Sequence, residues 1–308
     1  MGKLEFATTL RSPRNVAAIA RRVEDLGFDV VGCGEHVMFH GETANGFVSL
    51  AAAAGATSNI KLMSAITLVP VYPTALLAKL GAAIDVASGG RYMFGVGVGG
   101  EFPKEFAACG VPVEERGART NEALEILHKV WSQTDVTFDG RFTQLDNFSL
   151  KPLPIQQPRP PIWISGRKKV AMRRAAKYGD GWLPYMYTPE RLAESLQVIR
   201  DECEKLGRDP SEVRPGIYIF TAVHEDSKTG VAMAAEKLGA QYAQDFNKLV
   251  GKYALGGTPD ECRARLREYL DAGAEFVILS SACPEDYFDT NLQLIADELV
   301  KPMRAAAT

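Results

Sequence analysis

A histidine at the end of an apolar run is the first residue that could do chemistry. Phe28–Cys33 is short and rich in valine, and it runs out at Gly34-Glu35-His36. An imidazole at a strand end can give or take a proton near neutral pH, or hydrogen-bond a reacting carbonyl; a plain loop histidine would do neither. Glu101 is a candidate acid, placed in a loop on the far side of Gly95-Val96-Gly97-Val98-Gly99-Gly100. Those glycines follow GxGxxG only loosely. No helix cap comes directly after them and they do not open the first βαβ unit, so they are not a dinucleotide fingerprint. They either turn the chain or let a flat ligand lie close to the backbone. Ser165-Gly166-Arg167-Lys168-Lys169 combines a hydroxyl, helix-start amides and three cations. That is the make-up of an anion site, most naturally for phosphate, or else of a solvated basic helix start. His40 and His224 read as loop histidines and His128 as a structural one. No Ser-His-Asp or HExxH arrangement is visible.

The elements that must position these residues alternate strand and helix. Lys61–Gly100 reads as a βαβ unit: a buried strand over Ile60–Val69, a turn at Pro70–Pro73, a helix with Leu76, Leu77, Leu80, Ile84 and Ala87 on one face, and a strand over Arg91–Gly97. Ser88-Gly89-Gly90 supplies the stop between them. A junction of glycine, nearby acid and β-branched strand recurs at Gly27-Phe28-Asp29, Gly179-Asp180-Gly181 and Gly273-Ala274-Glu275, which points to one repeated architecture. Further strands are expected over Lys3–Thr9, Pro161–Ser165, Gly181–Pro184, Val213–Val223 and Glu275–Ser281. Helices are expected from Ser12-Pro13 and over Phe47–Ala56, Gly117–Trp131, Lys168–Lys177, Thr188–Gly207 and most of Lys228–Lys252, with another opened by the capping box Thr258-Pro259-Asp260-Glu261. Val98–Glu115 reads as a long loop, Val136–Leu150 as a hairpin around Asp139-Gly140, and the five prolines of Lys151–Pro161 as irregular chain. Eight strands with intervening helices predict a (β/α)8 TIM barrel, one domain over 1–308 with an insertion at about 133–160. In that fold the chemistry belongs at the C-terminal strand ends.

Composition bounds the rest. The chain has 308 residues, 46% of them hydrophobic and 24% charged, which suits a large buried core. A net charge of −3 makes no electrostatic case for nucleic acid or a membrane surface. With no run of about 18 apolar residues and no charged-then-apolar leader, the expected location is cytoplasmic. The five cysteines are scattered with no CxxC, which predicts reduced, buried thiols and no metal site.

With these strands in place, the chain resembles the luciferase-like monooxygenase superfamily, in its branch of deazaflavin (coenzyme F420)-dependent oxidoreductases. The resemblance rests on Gly27-Phe28-Asp29 through Glu35-His36, Leu68-Val69-Pro70-Val71-Tyr72-Pro73, Ser88-Gly89-Gly90-Arg91 through Gly99, Glu105-Phe106 with Gly110-Val111-Pro112, Arg116–Glu122, Pro160-Pro161-Ile162-Trp163-Ile164 and Gly179-Asp180-Gly181-Trp182. It implies a barrel with an insertion region, a flavin-type ring at the strand ends, a homodimer, and a non-prolyl cis peptide at Ala65–Ile66 behind the ring. It places His36 over the ring beside the substrate, Glu35 before it where relatives carry Asp, and Glu101 at a proton-donor position. Gly97, Val98, Gly99 and Gly100 would edge the ring, and Ser165, Gly166, Arg167 and Lys168 would hold the phosphate of the tail. The implied reaction passes hydride between the deazaflavin and a small substrate bearing C=C or C=O. The alternatives are an FMN-dependent monooxygenase on the same barrel and a non-catalytic cofactor-binding protein, which would need no His36.

Overall fold

The computed structural model describes residues 4–10 and 12–307. Its elements run β1 (Glu5–Thr9), α1 (Val16–Asp25), β2 (Val30–Cys33), α2 (Gly46–Ala56), β3 (Lys61–Ser64), β4 (Thr67–Leu68), α3 (Thr74–Ala87), β5 (Tyr92–Gly97), α4 (Pro103–Ala108), α5 (Arg116–Val130), β6 (Val136–Asp139), β7 (Gln144–Phe148), β8 (Ile162–Ser165), α6 (Lys169–Tyr178), β9 (Gly181–Leu183), α7 (Pro189–Lys205), β10 (Arg214–Val223), α8 (Ser227–Tyr242), α9 (Val250–Tyr253), β11 (Ala254–Gly257), α10 (Pro259–Asp271), β12 (Phe276–Ser281), α11 (Phe288–Leu294) and, after a π-helical turn at Ile295–Val300, α12 (Lys301–Ala307). Parallel pairing passes from β1 through β2, β3, β5, β8, β9, β10 and β12 and returns to β1, closing an eight-stranded barrel with its helices outside.

Two layers of packing hold it. One face of every strand meets the helices in a continuous apolar shell that includes Phe6, Val31, Leu62, Phe94, Ile164, Ile217 and Leu279. The other face fills the interior with Ala7, Val30, Met63, Met93, Trp163, Leu183, Phe276 and Ile278, where the rings of Trp163 and Phe276 lie 4.5 Å apart. The recurring glycine–acid junction has a defined task. Asp29 accepts the backbone N–H of Phe6 at 2.8 Å, and Asp180 accepts that of Ile162 at 2.6 Å. Each carboxylate thus satisfies a donor at the entry of a neighbouring strand, where the ladder has not yet begun.

Several local expectations change. The strand predicted over Lys3–Thr9 is seen over Glu5–Thr9, and Lys3 lies outside the described residues. Ser12-Pro13 does not open the first helix. Ser12 instead accepts the N–H of Arg14, and α1 begins after Asn15, which adopts a left-handed φ of 55°. The strand expected over Ile60–Val69 is split: β3 ends at Ser64, the cis peptide Ala65–Ile66 follows, and β4 leads into a 3-10 turn at Val69–Val71. Leu76 and Ala87 face outward, and the buried side of α3 is Leu77, Ala78, Gly81, Ala82, Ile84 and Asp85. The Val98–Glu115 loop contains α4 and a 3-10 turn at Val113–Glu115. The mainly helical stretch Lys228–Lys252 is divided between α8, which ends at Tyr242, and α9 from Val250, and an additional strand, β11, pairs with β10 outside the barrel. Its two glycines hid it from the strand pattern, but they are where α8 comes closest: a Cβ on Gly230 of that helix would meet the backbone of Gly257 at 2.7 Å.

Other expectations hold. Thr258 and Glu261 form the reciprocal capping box, and Gly89 and Gly90 end α3 with positive φ. The hairpin β6–β7 and the proline-rich stretch fall between α5 and β8. The buried Asp85 ties that stretch down through the N–H groups of Ile155 and Gln156 at 2.6 and 3.0 Å. The five cysteines are thiols, four of them buried. Among the described residues no helix is long and apolar enough to cross a membrane.

Candidate active site

Alternation along β1 sets out the barrel from bottom to top. Residues two apart share a face, and Glu5, Ala7 and Thr9 occupy three successive levels. At the bottom the buried Glu5 carboxylate accepts from Lys61 at 2.7 Å and pairs with Arg214. Burial alone would raise its pKa, but the two cations outweigh it and hold it low. Ala7 lies in the apolar middle. At the top Thr9 shares a hydrogen bond with Ser280 at 2.8 Å, and Tyr218 donates to Ser280 at 2.9 Å. The C-terminal mouth therefore has a hydroxyl-lined floor over an apolar plug.

His36 stands at the rim, at the end of β2. Its Nδ1 donates to the Glu105 carboxylate, at 3.1 and 3.2 Å from the two oxygens, and Glu105 also accepts the N–H of Val37 at 3.2 Å. Glu105 has no solvent exposure, whereas the His36 side chain keeps 27%. A proton fixed on Nδ1 leaves Nε2 as the basic atom of the neutral ring, so the pair presents one reactive nitrogen in one orientation. Glu105 comes from α4, the helix inside the stretch read as loop. Glu101, the acid selected from the sequence, does not make this contact.

Glu35 points the other way. It is buried, and its carboxylate accepts from Leu68 N–H at 3.0 Å, Gly46 N–H at 3.1 Å and Tyr72 O–H at 3.0 Å. One side chain thus ties the end of β2 to the start of α2 and to β4. Burial raises its pKa, against the pull of those three donors. It fixes the segment that carries His36.

The glycines beside Ala65–Ile66 make room for protein. A Cβ on Gly95 would lie 1.9 Å from the Ser64 carbonyl oxygen, and one on Gly97 would lie 1.9 Å from Ile66 Cδ1. Gly99 and Gly100 have φ of +58° and +102°, with Phe106 and the Arg116 side chain against them. The structure therefore brings Ala65, Ile66 and Gly97 together. Gly99 and Gly100 turn the chain after Val98.

On the strand next to β5, Ser165 ends β8 and Gly166 follows at φ +133°, where a Cβ would lie 2.7 Å from Ala171 on the first turn of α6. Lys168 occupies the N-cap position of α6. The Arg167 guanidinium lies 4.6 Å from the centre of the Tyr185 ring and 3.7 Å from Glu101 Oε1, and Tyr185 donates its hydroxyl to the same Glu101 oxygen. Glu101 thus belongs to the Arg167 side of the mouth.

Aromatic rings surround the opening. Phe39 stacks on the His36 imidazole at 4.3 Å and meets Phe102 at 5.9 Å and Tyr242 at 6.3 Å edge to face. Burial raises the pKa of Tyr185, Tyr218 and Tyr242, so these phenols stay neutral at physiological pH. Tyr218, Phe102 and Tyr242 were not picked out from the sequence, and Glu105 entered only as part of the family match, without a role. Glu105 carried the one usable signal: it lies within a glycine-bounded segment following a strand end, four residues after the acid that was chosen.

Comparisons with known proteins agree on the fold. The sequence profile described as luciferase-like monooxygenase matches residues 4–275. An FMNH(2)-dependent dimethylsulfone monooxygenase of Pseudomonas putida is 32% identical over 184 residues, 59% of this chain and 49% of the relative, so the chain spans about half of that protein. Among solved structures, an F420-dependent secondary alcohol dehydrogenase superposes with a TM-score of 0.85 at 20% identity, covering 97% of this chain and 99% of the other. The monooxygenase RslO1 from Streptomyces bottropensis gives 0.84 at 25% identity, covering 97% and 100%. The coenzyme F420-dependent tetrahydromethanopterin reductase from Methanopyrus kandleri gives 0.81 at 19%, covering 98% and 99%. With 272 of its 308 residues matched by the profile (275 − 4 + 1), the chain belongs to the luciferase-like monooxygenase family of barrel oxidoreductases and monooxygenases.

Proposed function

We propose that this protein is a coenzyme F420-dependent oxidoreductase that passes hydride between the deazaflavin and a small organic substrate bearing a C=C or C=O bond. The observation that carries the reading is the His36–Glu105 pair. A hydride delivered to a carbonyl or an activated alkene must be matched by a proton, and His36 Nε2, held by the buried Glu105 at Nδ1, is an oriented proton carrier at the mouth. The residues present fit a flat ring with a phosphate tail. The Gly166 backbone packs too closely on α6 to admit a side chain, and that tight turn aims the first amides of the helix beside Ser165, Arg167 and Lys168. Ala65 and Ile66 would back the ring, with Gly97 behind them. When bound, the deazaflavin supplies the hydride; the chain supplies orientation and the proton path.

In this reading Glu35 locks the loop that bears His36, Glu105 sets its tautomer, and the rings of Phe39, Phe102 and Tyr242 exclude water from the opening. His36→Ala should lower turnover by about 10²–10⁴-fold, the usual contribution of a positioned acid or base, and leave cofactor affinity nearly intact. Unchanged turnover would remove His36 from the mechanism, whereas absence of turnover across a broad substrate panel with reduced cofactor bound would favour a non-catalytic binder. An FMN-dependent monooxygenase is the second reading, favoured by the 32% identity to the dimethylsulfone enzyme. We further propose a homodimer located in the cytoplasm, which sedimentation and cell fractionation would test.

A further inference from the structure

Arg167 is the cation expected to meet a ligand phosphate, yet in the structure it is engaged by Glu101 and Tyr185. These three side chains come from three different loops: Glu101 from the segment after β5, Arg167 from the turn after β8, and Tyr185 from the chain after β9. The backbone of Arg167 is anchored, since its carbonyl accepts from Tyr187 O–H at 3.2 Å and from Arg191 at 3.0 Å. Its side chain is 39% exposed and that of its partner Glu101 43% exposed, so the side chain can exchange partners while the loop stays fixed. Glu101 accepts the Tyr185 hydroxyl on the same oxygen that faces Arg167, and Tyr185 offers its ring face to the same guanidinium. The result is a bridge among the loops that follow three neighbouring strands, β5, β8 and β9, built on a carboxylate where a ligand anion would sit.

We propose that Glu101 and Tyr185 form a counter-ion clasp on Arg167, which a phosphorylated ligand opens by displacing the Glu101 carboxylate. Glu101 on this account is a specificity-determining residue for the charged tail and takes no part in proton transfer. The clasp rests on the reading of residues 165–168 as the phosphate site. It makes an anionic tail compete with a resident carboxylate.

The test compares a ring with and without its phosphate. Apoprotein is titrated with coenzyme F420 and with the deazariboflavin chromophore that lacks the tail, following fluorescence. The FMN and riboflavin pair serves if FMN is the ring that binds, so the clasp is tested whichever cofactor the protein takes. Glu101→Gln should tighten the phosphorylated ligand by about three- to fivefold, the scale of a half-exposed ion pair, and leave the phosphate-free ring unchanged. Arg167→Gln should erase the preference for the phosphorylated form, and in that background Glu101→Gln should have no effect. A ratio of the two affinities that Glu101→Gln leaves unchanged or lowers would overturn the clasp, with ring binding still supporting the oxidoreductase reading. Failure of both ring pairs to bind would overturn the clasp and that reading together.

Discussion

A single methyl group at Gly95 should damage this barrel more than its size suggests. The Cβ of Gly95→Ala would lie 1.9 Å from the Ser64 carbonyl oxygen, whereas real Cβ contacts essentially never fall below 3.0 Å, so at least 1.1 Å (3.0 − 1.9) must be found by moving backbone. Neither side can yield freely. Gly95 is central in β5, and its N–H donates to Ser64 Oγ at 2.9 Å while that hydroxyl donates back to the Gly95 carbonyl at 3.2 Å. Separating the strands weakens both buried hydrogen bonds, each worth about 0.5–1.5 kcal/mol, on top of roughly 1–3 kcal/mol for overpacking. The total, about 2–6 kcal/mol, is a large part of the stability of a typical domain. Thermal melting followed by circular dichroism should show a fall of roughly 3–9 °C for a chain of this size. Gly55→Ala is the matched control. Gly55 lies on the exposed side of α2, where an added methyl would have nothing within 4 Å, and alanine there should stabilise by roughly 0.5–1 kcal/mol through helix propensity. Equal melting temperatures for Gly95→Ala and the parent would refute the claim that Ser64–Ile66 occupies the space beside Gly95.

Other perturbations follow from the same contacts. Gly81→Ala should cost about 1–3 kcal/mol despite its helical setting, because the new Cβ would lie 2.7 Å from the Trp131 ring, whose Nε1 is pinned to the Ala78 carbonyl at 2.9 Å; a chemical-denaturation midpoint at or above that of the parent would contradict it. Glu35 ionises near 4.5 when unfolded and higher when buried. Between those values the native state holds more protons than the unfolded state, so stability falls as pH rises through the window. Glu35→Gln should flatten that part of the melting-temperature profile, and parallel profiles would exclude Glu35 as the source. Glu105→Gln keeps an acceptor for His36 but loses the charge. Turnover should drop by about ten- to hundredfold with cofactor affinity unchanged, and full activity would leave His36 oriented by something else.

Much of the barrel was legible because its strands are short, β-branched and bounded by glycine. The acid after each helix-ending glycine marked the junctions, and the structure supplies the reason: Asp29 and Asp180 satisfy strand-entry amides. Where local pattern and tertiary packing diverge, detail was lost. Ile60–Val69 is apolar throughout, so nothing in its periodicity signals the break at Ala65–Ile66; that came only from family resemblance. The strand β11 was concealed by Gly256 and Gly257, which weaken a strand pattern and here admit α8. The site was half legible. His36 stands out by its position after a strand, but its partner depends on how α4 folds back over the mouth, and spacing alone could not choose Glu105 over Glu101. The glycines after β5 looked like space for a ligand, and the side chains of Ile66, Phe106 and Arg116 fill the space beside three of them.

The central claim is that this mouth takes a deazaflavin and uses it. Apoprotein should be titrated in parallel with coenzyme F420 and FMN, at matched ionic strength, with bound fraction read from fluorescence. Saturable binding of F420 is expected, with FMN binding at least tenfold weaker; selective binding of FMN would contradict the claim.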